Sequence, residues 1–137
     1  MKFPYKKFVV QSRPGGPASV VTRPVITIHV TSQQRVAYEA LVDSGADYSI
    51  FHAQIGEAIG LEVRRGQRVI FAGVGGVAQE GFRHSVKLEV GKWRLPCSVV
   101  FAYGLKIPYG ILGQAELFDW FVVVFDRQAG WFDLRPR

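Results

Sequence analysis

The chain has 137 residues, enough for one hydrophobic core and too few for two independent ones. Apolar residues make up 48% and charged residues 20%, with 10 Phe, 5 Tyr and 3 Trp, which excludes a disordered chain. Lys and Arg number 17 against 11 Asp and Glu, a formal +6, but they fall in short scattered groups such as Lys6-Lys7, Arg64-Arg65 and Arg135 with Arg137. Nucleic-acid binding needs clustered charge interleaved with aromatics, so no nucleic-acid partner is expected.

Residues 1–22 are expected to form an N-terminal arm and a flexible connector, the connector lying at 12–18 around Pro14-Gly15-Gly16-Pro17, with one folded domain over 23–137. β-Branched and apolar residues at 25–30 and 36–42, parted by Ser32-Gln33-Gln34, predict a hairpin. Its second strand runs through Ala40-Leu41-Val42 into Asp43, and Ser44, Gly45 and Ala46 follow. A strand that delivers a carboxylate into a turn of very small residues leaves the acid little shielded and lets backbone approach a ligand closely. Asp43 is therefore a candidate catalyst, although Asp, Ser and Gly are also ordinary turn residues.

Further along, apolar residues at 51, 55, 58 and 59 before Gly60 predict a short helix over 51–60. Strands are predicted at 67–72, 82–90, 93–101 and 121–125, and Arg127-Gln128-Ala129-Gly130 turns the chain into a last strand at 131–134. Segment 72–78 holds Gly73, Gly75 and Gly76 between two strands and reads as a mobile hairpin tip. A phosphate loop would lead into a helix carrying Lys-Ser or Lys-Thr, and Gln79-Glu80-Gly81 stands there instead. The segment Ile107-Pro108-Tyr109-Gly110-Ile111-Leu112-Gly113 contains an apolar strand stopped by glycine, and 115–120 is expected as a second short helix. The fold class is all-β, a small barrel or sandwich with one or two short helices.

Cys97 is the only cysteine, which excludes an intrachain disulfide. With His29, His52 and His84 it makes no ligand spacing, so neither a metal nor another cofactor is expected. No apolar h-region follows the first residues and no apolar run reaches membrane-spanning length, so a membrane segment is not expected and a cytoplasmic location is. A domain of a longer protein would read the same way.

The order of elements carries more than any one of them. An apolar strand ending in Asp43-Ser44-Gly45-Ala46-Asp47, a helix, a glycine-tipped hairpin, then Ile111-Leu112-Gly113 and a second helix resembles the retropepsin-like aspartic proteases, the family of the retroviral proteases. The likeness covers residues 25–125. It implies a small closed barrel, an aspartic endopeptidase with catalytic Asp43, Ser44 and Gly45, and a homodimer, because a member of this length carries one active-site aspartate. The hairpin takes the place of the family's flap. A peptide or protein substrate would lie extended against Ala46, Asp47, Val74, Gly75, Gly76 and Val77, with Ile50, Tyr109 and Ile111 lining apolar pockets. Many members have arginine where this chain has Gln114, and that arginine ties to the acid at Asp47, so that tether is expected to be missing, with Asp47 left to pair with another basic residue or to face substrate. The aromatic residues Phe118, Trp120, Phe121, Phe125, Trp131 and Phe132 would serve a dimer interface or the core of each copy. The competing functional reading keeps the barrel as a dimerisation or peptide-binding module without turnover.

Overall fold

Alternating burial builds the sheet strand by strand. In β4 (Val25–Thr31) Ile26, Ile28 and Val30 face inward while Thr27 faces solvent, and in β5 (Arg35–Val42) Tyr38, Ala40 and Val42 do the same. The computed structural model describes residues 1–73 and 75–137; Val74, expected on the flap, lies outside the described residues. The remaining strands among the described residues are β1 (Lys2–Pro4), β2 (Lys6–Gln11), β3 (Ala18–Arg23), β6 (Ser49–His52), β7 (Gln67–Ala72), β8 (Ala78–Val90), β9 (Trp93–Ala102), β10 (Gly110–Leu112), β11 (Phe121–Asp126) and β12 (Trp131–Pro136), with an α-helix, α1, at Ala53–Ala58.

Six strands close a barrel in the order β4-β5-β10-β6-β9-β8, with β8 returning to β4 through His29↔Glu89, Val30↔Leu88 and Thr31↔Lys87. The fold is thus a closed all-β barrel with little helix. At 13 residues β8 is long enough to serve two partners beside β9. Its C-terminal half closes the barrel, and its N-terminal half pairs with β7 in a hairpin tipped by Gly75 and Gly76. Phe51 and Phe101 meet edge to face at 6.1 Å in the core. A second, three-stranded sheet of β1, β12 and β11 adds Phe121, Phe132 and Leu134 to that core. No helix in the described chain is long and apolar enough to cross a membrane.

Three stretches depart from the sequence expectation. The helix expected from residue 51 starts at Ala53, because Ser49 to His52 pair in parallel with β9 from Val99 to Ala102 and bury Ile50 and Phe51 there. The helix expected at 115–120 is instead a wide turn at Gln114–Phe118, in which Ala115 (ψ 126) and Glu116 (φ 74) leave helical geometry. The Pro-Gly segment read as a connector is the turn of a two-stranded ribbon, β2 with β3, paired from Lys6↔Arg23 to Gln11↔Ala18.

Candidate active site

Strand β10 is inserted between the two halves of the site. It runs parallel to β5, with Gly110↔Ala40 and Leu112↔Val42, and antiparallel to β6, with Ile111↔Ile50. Two loops are thereby brought together, the one after β5 that carries Asp43 and the one after β10 that starts at Gly113. Their backbones interlock: Asp43 N donates to Leu112 O at 2.9 Å, Gln114 N to Ala46 O at 2.8 Å and Ala115 N to Asp47 O at 2.9 Å. Ser49, buried at the start of β6, accepts from Gly113 N through Oγ at 3.2 Å. A side chain at Gly113 would run into the backbone of Tyr48 and the carbonyl of Ala46, so the residue must be glycine for the loops to approach this closely.

Asp43 turns its own loop. Its Oδ1 accepts from Gly45 N at 2.9 Å and its carbonyl accepts from Ala46 N at 3.3 Å, the side-chain-to-backbone turn that Asp favours. One carboxylate oxygen is thus fixed by backbone, and Oδ2 has no partner among the described residues. Asp43 is half-buried, whereas Ser44 and Gly45 are exposed. An acid with one oxygen held by backbone and the other without a partner keeps that second oxygen available to a proton or a ligand.

Gln114 supplies the brace. Its Nε2 donates to Ser44 O at 2.5 Å, tying the second loop to the first through a carbonyl, and the exposed Asp47 carboxylate makes no ion pair or hydrogen bond among the described residues. Asp47 still belongs to the interlock, through its backbone.

Ile50 and Ile111, expected to line apolar pockets, are cross-strand partners. They join Val100, Ala102 and Leu105 in a small apolar cluster separate from the main core, and Val69 and Phe71 of β7 complete it. The cluster therefore links the Asp43 loops to the root of the hairpin. The hairpin tip is open: Val77 is 71% exposed, and Gly75 and Gly76 have φ of 97° and 73°, which only glycine adopts without strain. Tyr109 goes elsewhere. It is buried, edge-on to Phe8 of β2 at 5.4 Å, with the Arg23 guanidinium 5.8 Å from its ring.

Behind the site two buried groups are fixed in one protonation state. Burial pushes the Tyr38 hydroxyl up to about 12; it accepts from His52 N at 3.1 Å and lies 2.5 Å from His52 Nδ1. Donation to Nδ1 leaves Nε2–H to donate to Ile107 O at 2.7 Å, which pins the loop before β10. Burial, followed by the Glu116 carboxylate, raises the Cys97 thiol far above its ordinary range, which keeps it in the protonated, weakly nucleophilic form. Sequence reasoning missed Ser49 and Glu116, whose carboxylate accepts from Ser98 N at 2.7 Å. The only signal for Ser49 was a hydroxyl at the head of an apolar strand.

Residues 27–115 match the family model described as aspartyl protease. Among solved structures, the EIAV protease complexed with the inhibitor HBY-793 is similar at a TM-score of 0.55 and 25% identity, over 71% of this chain and 86% of that one. No curated protein matches the chain. Because the matched segment runs from β4 through the interlocked Asp43 and Gly113 loops, on a barrel shared with a retroviral protease, this chain belongs to the retropepsin-like aspartic protease family.

Proposed function

We propose that the chain is an aspartic endopeptidase that works as a homodimer, with one Asp43 from each copy forming the catalytic pair. The observation that supports this most is Asp43 itself: one acid per chain, held on one oxygen by Gly45 N and open on the other, at the surface where a second copy can bring its twin. Two such carboxylates within hydrogen-bond distance cannot both ionise comfortably and share one proton. The ionised member takes a proton from a water, whose oxygen attacks the peptide carbonyl, while the protonated member donates to the carbonyl oxygen. Collapse of the resulting diol breaks the C–N bond as a proton passes to the leaving nitrogen.

Ser44 would brace the pair through its hydroxyl, and Gly45 lets the strand-like substrate approach. Backbone at Ala46 and Asp47, and at Gly75, Gly76 and Val77 of the hairpin tip, would bind that substrate as an added strand. Ile50 and Ile111 would offer an apolar wall for the side chains beside the cleaved bond, while Tyr109 packs against Phe8 of the ribbon. No metal or other cofactor has a role in this scheme. Hydrolysis of a diverse peptide library between pH 4 and 7, by the native chain and by Asp43→Asn, is the test. Cleavage by the native chain alone, blocked by a transition-state inhibitor of aspartic proteases, is the expected result, and cleavage that survives Asp43→Asn contradicts it.

A further inference from the structure

The formal charge of this chain comes from one end of it. Residues 1–38 hold Lys2, Lys6, Lys7, Arg13, Arg23 and Arg35 and not one Asp or Glu, so the remaining 11 basic residues face all 11 acidic ones over 39–137. Four of those six cations lie on the β2–β3 ribbon or its turn. Lys6 is spoken for by Glu39 at 2.9 Å, but Lys7 and Arg13 have no acidic partner among the described residues.

The ribbon stands beside the candidate site and outside the segment that matches the family model. Pro24 O accepts from Val42 N at 2.9 Å, and Val25 is in register with Leu41, so Arg23 is level with Asp43. One face of the ribbon is fastened there by Phe8, which sits against Tyr109, and by Arg23, whose guanidinium lies 5.3 Å from the Phe8 ring. The opposite face is open, with Lys7 exposed, Val9 at 73% and Val20 at 62% exposure, and residues 11–15 and 17–20 are exposed throughout. Two-stranded ribbons are marginal by themselves and keep two unpaired edges.

We propose that the β2–β3 ribbon is a docking arm for an acidic, extended stretch of polypeptide, the part of the substrate that runs on beyond the cleft. An open ribbon edge takes such a segment as an added strand, while Lys7 and Arg13 pair with its carboxylates and Val9 and Val20 cover its apolar side chains. Polypeptide is favoured because the ribbon continues the wall beside Asp43. Nucleic acid is not, because the open face presents valines and no ring on which a base can stack. The inference rests on the peptidase reading for the occupant being substrate, and binding can be read without turnover.

The experiment uses the full chain carrying Asp43→Asn and labelled peptides that share one central sequence and are flanked by a run of Glu, of Gln or of Lys. Fluorescence anisotropy should show the Glu-flanked peptide bound roughly five- to ten-fold more tightly than the Gln-flanked one, the worth of two exposed ion pairs. That preference should vanish in high salt and in the double variant Lys7→Glu with Arg13→Glu, whose changed side chains are exposed. Equal binding of the three peptides, a preference that survives the double variant, or tighter binding of a single-stranded oligonucleotide overturns the proposal. So does a double variant that weakens self-association in sedimentation while the peptide preference stays. Native-chain turnover without the charge preference sinks the arm alone; charge preference without turnover sinks the peptidase reading and leaves the arm.

Discussion

At the scale of single residues, the site depends on which side-chain atoms are held before substrate arrives. Gly45 N fixes Asp43 Oδ1, and Leu112 O fixes Asp43 N, so in the proposed reaction the carboxylate would need no further orientation. Asp43→Asn is expected to lower kcat by about a thousand-fold or more, because an amide cannot exchange the proton, while the melting temperature stays close to that of the native chain. Gln114 is the second lever. Replacing it with Leu removes the donor to Ser44 O at an exposed position and should cost about 0.5–1.5 kcal/mol in urea titration, with a several-fold loss of kcat/KM. Gln114→Glu should be at least as damaging, since a carboxylate cannot donate to a carbonyl. The placement of Asp43 and Gly113 at strand ends was legible in the sequence, because a strand-terminating acid and a strand-stopping glycine are defined by residue type. The partner of Gln114 was not, because spacing places a residue on a loop without saying which atom its side chain reaches.

Elements follow their neighbours more than their own propensity. Gln114-Ala115-Glu116-Leu117-Phe118 is a run of good helix formers, yet Glu116 sits at φ 74° so that its carboxylate can reach Ser98 N at 2.7 Å. Glycine would relieve the strained dihedral by roughly 1 kcal/mol but lose a charge-assisted bond worth about 1.5–3. Glu116→Gly is accordingly expected to be net destabilising in chemical denaturation, and Glu116→Gln, which keeps an acceptor, much less so. On the second sheet, Arg135 and then the chain's amino terminus hold the Asp133 carboxyl below the usual carboxylate range, and the pair clamps β1 to β12. A lowered folded value means this stabilisation is complete above the unfolded value near pH 4 and disappears as pH falls through the folded one. Asp133→Asn should therefore lower the melting temperature at pH 6, and the gap to the native chain should close as pH falls through the lowered folded value. Barrel strands such as β4, expected at 25–30 and found at Val25–Thr31, were legible from their β-branched and apolar residues. The ribbon strands β2 and β3 were not, because Pro14 and Gly15 drew attention to the turn and away from the valines that flank it.

For the whole molecule, the question is what a second copy would cover. The C-terminal aromatics divide: Phe121 and Phe132 fill the chain's own core, while Trp120 at 44%, Phe125 at 41% and Val122 at 42% remain exposed on or beside β11. Exposed large apolar groups gathered on one strand fit an interface better than open solvent. Phe125→Glu should shift the chain toward monomer in sedimentation velocity at micromolar concentration, and activity should fall with it. The most direct measurement of the central claim is hydrolysis by a fixed amount of native chain mixed with increasing Asp43→Asn chain after both have exchanged subunits. If each site needs one Asp43 from each of two copies, activity falls toward zero as mixed dimers replace native ones. Activity that stays constant as the variant is added would contradict the paired site.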